Sequence, residues 1–136
     1  MKKYACVWID HEKAIIVTLF DGGEKVSKID SNAGSRVRLS GGARSKTPYG
    51  PQDVSSEKRI EEKRKHILHD YYREIVQEIK KGDKFLIIGP GEAKGELKKE
   101  IEKLKELAPK ISGVEPADKM TDRQLLAKAK DYFNIG

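Results

Sequence analysis

The basic residues of this chain are concentrated in one segment, residues 34–65. That segment has nine Lys and Arg residues against four acids, a surplus of five, while the whole chain has a net charge of +6. Ammonium and guanidinium groups neutralise phosphates, so a local surplus of this size favours an anionic partner such as RNA. The candidate contacts are Arg36, Arg38, Arg44, Lys46, Lys58, Arg59, Lys63, Arg64 and Lys65, with the ring of Tyr49 able to stack on a base.

The first part of this basic segment has no hydrophobic period. Residues 34–56 contain four glycines and two prolines. A loop of this length in a compact domain is usually functional or disordered. We therefore predict a flexible basic loop over residues 34–56. The competing interpretation is a solvated loop beside an ordinary charged helix end that binds nothing.

A second candidate site is a glycine turn after an apolar run. Gly89 and Gly91 flank a proline, and Lys94 follows within one helical turn. A strand-to-helix junction of this kind can present free backbone N–H groups to a phosphate. The spacing matches neither the P-loop nor the dinucleotide fingerprint, so a tight packing turn is the alternative prediction.

Three acids offer a further alternative, a metal-dependent nuclease or phosphate-handling enzyme. Asp10, Glu115 and Asp118 follow or end apolar runs, and would hold metal ions if the strand ends brought them together. Asp10, however, is predicted to lie in a hairpin turn, where its carboxylate has a local role. The preferred prediction therefore contains no metal site and no cofactor.

Short apolar runs predict the strands of one sheet. Residues 4–10 and 14–20 are rich in Val, Ile and aromatic residues, which is typical of strands covered on both faces. Residues 24–30 form a weaker strand, whose lysines suit a sheet edge. Residues 85–89 and 111–115 complete the set.

Segments whose apolar residues recur with a helical period lie between the later strands and after the last one. A helix is predicted over residues 57–81, capped by Ser55 or Ser56, and another over 92–107 with Leu104 directed inward. Thr121 and Gln124 have the spacing of a capping box that opens a last helix.

The resulting order is β-β-β-α-β-α-β-α within a single domain over residues 1–136. It predicts an α/β fold of three layers, with a mixed five-stranded sheet in the order 3-2-1-4-5 and helices on both faces. This is a ribonuclease H-like topology, which by itself says little about function.

Three stretches carry a family resemblance over nearly the whole chain. They are Val-Trp-Ile-Asp-His at 7–11, the segment 86–97 with Gly-Pro-Gly-Glu-Ala-Lys at its centre, and Gly-Val-Glu at 113–115. Thr121 with Asp122, and a closing Tyr132 with Phe133, follow in order. The chain resembles the small bacterial and archaeal proteins labelled translational machinery protein. It is also similar to the central domain of Pelota and of archaeal and eukaryotic peptide-release factors.

This resemblance implies a non-enzymatic protein that binds the ribosome or structured RNA. In the release factors, the loop after the third strand carries a Gly-Gly-Gln that enters the peptidyl-transferase centre. The corresponding residues here are Gly41, Gly42 and Ala43, so the glutamine needed for hydrolysis is missing. The loop looks more like the basic loop of Pelota, which acts without cleaving peptidyl-tRNA.

The remaining features bear on compartment and assembly. Cys6 is the one cysteine and lies in the first apolar run, which favours a buried thiol in a reducing cytoplasm. The apolar segment near the N-terminus is too short, before charged residues interrupt it, to form a membrane span or signal peptide. No membrane partner is therefore expected. A third interpretation is an interaction module that forms homo-oligomers through its edge strand.

Overall fold

Five strands form one mixed sheet in the computed structural model, which describes residues 2–31 and 50–134 and, for residues 50–57, the backbone alone. The strands are β1 (Tyr4–Ile9), β2 (Lys13–Phe20), β3 (Gly23–Asp30), β4 (Lys84–Gly89) and β5 (Ile111–Pro116). Their order is β3-β2-β1-β4-β5, as the sequence predicts. β2 is antiparallel to β1 and β3, whereas β4 is parallel to β1 and β5.

Three α-helices accompany the sheet within the described residues: α1 (Gly50–Ile79), α2 (Ala93–Glu102) and α3 (Asp122–Tyr132). Helices α1 and α2 cover one face and supply Ile75, Ile79, Leu97 and Ile101 to its apolar core. Helix α3 covers the other face through Leu125 and Ala129. The central strands are therefore buried on both faces, which explains their nearly continuous apolar sequences.

The β1–β2 turn is fixed by Asp10. Its Oδ1 atom accepts hydrogen bonds from the backbone N–H groups of Glu12 and Lys13, both at 2.8 Å. The carbonyl oxygen of Asp10 accepts a further bond from the Tyr71 hydroxyl at 3.0 Å, which ties this turn to α1. The hairpin expected at Asp10 is thus present.

Helix α1 begins earlier than the sequence predicts. Its first residue is Gly50, so the predicted cap at Ser55 or Ser56 is wrong, and residues 50–56 of the predicted loop have helical backbone. Pro51 stands in the first turn, where a proline lacks only an N–H that the helix would leave unpaired. The rest of that predicted loop, residues 34–49, lies outside the described residues.

Helix α2 ends earlier than predicted. After Glu102 the chain turns, and a short 3₁₀ helix (Ala108–Lys110) leads into β5. The turn rotates Leu104 outward, where it is 40% exposed, and Leu107 takes the buried position. The prediction that Leu104 points inward is therefore wrong, because it assumed an unbroken helical period.

The two sheet edges are β3 and β5. Val26 on β3 is 41% exposed, and Lys25 and Lys28 lie on the same strand and are exposed. Charged side chains on an edge strand discourage pairing with another chain. Among the described residues, no helix is long and apolar enough to cross a membrane.

Candidate nucleic-acid interface

The first half of α1 extends beyond the core of the domain. Between residues 58 and 66 every side chain is exposed except that of Ile60, which is half-buried, and the next residue, Ile67, is buried. At a rise of 1.5 Å per residue, this exposed stretch extends the helix by about 14 Å past its first core contact. Its composition explains the exposure, since it offers no stripe of apolar residues to bury.

Five of the predicted contacts lie on this stretch, and all five are exposed: Lys58, Arg59, Lys63, Arg64 and Lys65. They do not form one flat stripe. At roughly 100° per residue, Lys58 and Lys65 point nearly the same way, Arg59 and Lys63 lie about one turn apart on another side, and Arg64 faces α2. The cations therefore surround the helix rather than mark one side of it.

Four of these five cations have no acidic partner among the described residues. In the described part of the chain, Lys58, Arg59, Arg64 and Lys65 form no ion pair. Other lysines of the protein are engaged, for example Lys25 with Glu78 at 3.2 Å. Unpaired cations are free to exchange their counterions for phosphates.

The other predicted contacts cannot be placed. Arg36, Arg38, Arg44, Lys46 and Tyr49 lie outside the described residues. Their part in binding stays a prediction from the sequence.

A cleft of about 630 Å³ separates the first half of α1 from α2. Arg64 and Lys65 line it from α1, while Lys99 on α2 and Lys103 just after α2 line it from the other side. Its lining residues include four Lys or Arg and four Glu, so its net charge is close to zero. A polyanion is therefore attracted to the outer sides of α1 more than to the cleft itself.

Glu96 organises the floor of this cleft. Its Oε1 atom accepts a hydrogen bond from the Tyr72 hydroxyl and lies 3.1 Å from Nε2 of His11. Burial and then the bond to Glu96 raise the pKa of Tyr72, because both oppose a phenolate at this position. One turn along α2, Glu100 contacts Nδ1 of His69 at 3.2 Å and Nζ of Lys103 at 2.6 Å.

Sequence reasoning missed this network. His11 and Glu96 are 85 residues apart, so no local spacing relates them. The only available signal was the spacing of Glu92, Glu96 and Glu100 on one side of a helix, which looks the same in any solvated helix.

The glycine turn has a structural explanation. Gly89 has φ +151°, and a Cβ at this position would lie 2.1 Å from the carbonyl oxygen of Ile9. Gly91 has φ +63°. The Lys94 ammonium donates a hydrogen bond to the carbonyl oxygen of Gly91, so this side chain folds back on the turn. Close packing against Ile9 accounts for Gly89 and the positive φ accounts for Gly91, and phosphate binding here stays a prediction.

The three candidate metal ligands have separate structural roles. Asp10 closes the hairpin, Glu115 lies 3.4 Å from Nζ of Lys128, and Asp118 accepts a bond from Nε1 of Trp8 through its carbonyl oxygen at 3.0 Å. Within residues 2–31 and 50–134 there is no group of three His, Cys, Asp or Glu residues suited to hold a metal ion.

The fold and this surface define an open α/β domain with a projecting basic helix. The chain is similar in structure to Pelota from Thermoplasma acidophilum, with a TM-score of 0.56 and 18% identity over 96% of this chain. It is also similar in structure to Pelota from Archaeoglobus fulgidus, with the same TM-score of 0.56 and a lower identity of 13% over 95% of the chain. An archaeal translation termination factor, aRF1, gives a TM-score of only 0.43 at 14% identity, covering 97% of this chain and 39% of that one.

These likenesses show a shared fold. The chain spans 32% and 31% of the two Pelota proteins, so it corresponds to a part of each. A scan of protein-family models finds no match to this sequence, and a search of curated proteins finds none. The relation to Pelota is thus one of a Pelota-like fold at low sequence identity.

Proposed function

We propose that this chain binds structured RNA, with the ribosome as its setting, through the basic first half of α1 and the basic residues that precede it in sequence. The observation that carries the proposal is the set of exposed cations on α1, of which Lys58, Arg59, Arg64 and Lys65 form no ion pair with any described residue. The residues from 34 to 65 hold a surplus of five positive charges out of a net +6, so this segment of the chain contributes most to its attraction for polyanions.

The shape of the helix suits an irregular partner. Its cations point in several directions around the axis, so phosphates on more than one side of a groove or loop are within reach. Structured RNA presents such phosphates, whereas a single straight strand would engage one side of the helix. Binding of this kind is set by charge and shape more than by base sequence.

The link to translation rests on the resemblance noted in the sequence and on the Pelota-like fold. The proposed place of action is the cytoplasm. The proposed function is non-enzymatic and does not include hydrolysis of peptidyl-tRNA, because the resemblance matches Ala43 to the glutamine that release factors use. Release of labelled peptide from stalled ribosomes above background would contradict that part of the proposal.

The test compares two variants that each lose three positive charges. In the first, Lys58, Arg59 and Lys65 become Ala, which keeps the helix because alanine has the highest helix propensity. In the control, Lys80, Lys81 and Lys84 become Ala; these lysines are exposed and lie at the other end of α1 and the start of β4. Lys99 and Lys103 make a poor control, because they line the same cleft as Arg64 and Lys65.

The measurements are co-sedimentation with ribosomes and binding to a structured RNA over a range of salt. If all three cations contact phosphates, the first variant loses roughly tenfold or more in affinity at low salt. Its slope of log K against log salt becomes flatter by about 2–3. The control keeps the slope of the unmodified protein. Equal losses in both variants would mean a diffuse attraction, and unchanged binding in the first variant would remove α1 from the interface.

A further inference from the structure

A second concentration of positive charge lies on the opposite face of the sheet, beside α3. A cleft of about 750 Å³ opens there between the β2–β3 edge and the start of α3. Of the nine described residues that line it, four are cationic and one, Asp122, is acidic. The four cations are Lys13, Lys28, Lys119 and Arg123.

Most of this charge is unmatched. Asp122 is engaged by Lys28, whose Nζ lies 3.1 Å from its carboxylate. Lys13, Lys119 and Arg123 form no ion pair with any described residue. Asp30 stands opposite Lys13 in the β2–β3 ladder and offsets part of its charge, although it lines a different cleft together with residues of α1. The cleft beside α3 therefore has a surplus of about three positive charges, unlike the balanced cleft between α1 and α2.

The cations are held by ordered elements. Lys28 pairs with Ile15 in the β2–β3 ladder, and Lys13 precedes Ile15 by two residues, so all three lie on the same face of the sheet. The segment that carries Lys119 is fixed at its neighbour, because the indole of Trp8 donates to the Asp118 carbonyl oxygen. A site on such elements needs little ordering when a ligand binds.

The helix terminus is not the basis of the site. Thr121 and Gln124 already form a reciprocal capping box at the start of α3, with bonds of 2.9 and 3.2 Å. The attraction for an anion comes instead from side chains contributed by β2, β3, the segment before α3, and α3 itself.

The floor of the cleft is apolar. Ile15 is buried, and Met120 packs against the core beneath α3. A cationic rim over an apolar floor suits a ligand that joins a phosphate to a flat ring. A methionine side chain also adapts to a ring more readily than a branched residue does.

We infer that this cleft binds a nucleotide unit, with its phosphate on Lys13, Lys119 and Arg123 and its base over Ile15 and Met120. The site is separate from the α1 cations and does not depend on their role. The nucleotide has two conceivable sources, a free mononucleotide or one unit of an RNA strand, and the same chemistry would recognise either.

The experiment titrates the full chain, labelled with ¹⁵N, with AMP, with inorganic phosphate and with a short single-stranded RNA. The test variant carries Lys119→Ala and Arg123→Ala, both at exposed positions. The matched control carries Lys80→Ala and Lys84→Ala, which removes the same charge elsewhere. Melting temperatures within a few degrees of the unmodified protein show that both variants fold.

Saturable binding of AMP that shifts the amide signals of residues 119–124, and that weakens at least tenfold in the test variant alone, supports the site with a free nucleotide as ligand. The same pattern with the RNA and not with AMP supports it with a strand as the source. Inorganic phosphate binding as tightly as both would overturn the nucleotide assignment, since the floor would then contribute nothing. Equal loss in test and control variants, or no saturable binding of any ligand, would overturn the site. The Lys58, Arg59 and Lys65 variant keeps this binding, so failure here and failure of the α1 interface are distinguishable.

Discussion

At the scale of single residues, Cys6 shows how burial controls reactivity. Its side chain is fully buried under α3, and burial raises the pKa of the thiol from 9.0 to about 12; the charge of Lys128 lowers it by less, and that of Glu115 adds to the rise. Only the thiolate reacts with disulfide reagents. We expect Ellman's reagent at pH 8 to modify Cys6 only at the rate of unfolding or local opening. Rapid modification in native buffer would show that the face beneath α3 is open.

The same shift makes stability depend on pH. The unfolded thiol ionises near pH 9.0 and the folded one only near 12, so the folded state holds more protons between these values. The free energy of unfolding is thus unaffected by this group below pH 9 and falls as pH rises toward 12. Burial raises the pKa values of Tyr71 and Tyr72 as well, which adds a decline of the same sign above pH 10. Denaturant unfolding of the Cys6→Ala variant should show a shallower decline between pH 9 and 10.

The Tyr72–Glu96 bond is the second prediction at this scale. A part-buried hydrogen bond to a carboxylate stabilises a fold by more than a neutral bond does. We expect Tyr72→Phe and Glu96→Gln to show a coupling energy of about 1 kcal/mol in a double-mutant cycle of unfolding free energies. Tyr71→Phe is the control, because that hydroxyl donates to the Asp10 carbonyl oxygen, so its coupling to Glu96→Gln should be near zero. Equal couplings would mean that the Tyr72 hydroxyl does not bond Glu96 in solution.

At the scale of elements, the glycine turn at the end of β4 is a close approach of two neighbouring parallel strands. Gly89→Ala would force a Cβ to 2.1 Å from the Ile9 carbonyl oxygen at φ +151°. We expect a loss of roughly 3 kcal/mol or more in unfolding free energy, measured by denaturant titration.

Gly95→Ala is the matched substitution within α2. A Cβ at Gly95 has no atom within 4 Å, and alanine favours the helix. This variant should be more stable by about 0.5 kcal/mol. A loss of less than about 1 kcal/mol for Gly89→Ala would show that β1 and β4 separate easily at their ends. The glycines would then not be explained by packing, which would favour the phosphate-binding prediction for this turn.

The elements also show how far the sequence alone could lead. Apolar runs predicted β1, β2 and β4, because strands buried on both faces leave an unbroken hydrophobic signal, and the succession of strands and helices predicted the sheet order. The start of α1 was missed, since Ser55 and Ser56 offered caps that the longer helix does not use. Leu104 was wrongly predicted to point inward, because the spacing of apolar residues gave no sign that α2 ends at Glu102. At the candidate site, the exposed cations of α1 could be predicted from composition. The cleft beside α3 could not, because it joins residues as distant in sequence as Lys13 and Arg123, which only the folded structure brings together.

At the scale of the whole molecule, one sheet supports two cores. β1 alternates between them: Val7 and Ile9 pack beneath α1 and α2, while Cys6 and Trp8 pack beneath α3. Removing either helix layer would expose one face of the same central strands. The two proposed binding surfaces, on opposite faces, therefore depend on one common scaffold.

We predict that both layers unfold as one cooperative unit. Trp8 is the single tryptophan and reports on the α3 face, whereas far-UV circular dichroism is dominated by α1, with 30 residues on the other face. In a denaturant titration the two signals should give the same midpoint, as expected for a two-state domain of this size. Leu125→Ala should lower both midpoints together, at a cost of about 2–5 kcal/mol for emptying a buried site under Trp8.

Lys130→Ala on the same helix serves as the control for that substitution. It removes only a surface ion pair with Glu24 at 3.2 Å, so the unfolding free energy should change by less than about 1 kcal/mol. If Leu125→Ala moves the Trp8 transition and leaves the circular dichroism transition in place, α3 detaches separately. The cleft beside α3 would then open without unfolding of α1. The free energies of unfolding of the two binding surfaces would be independent.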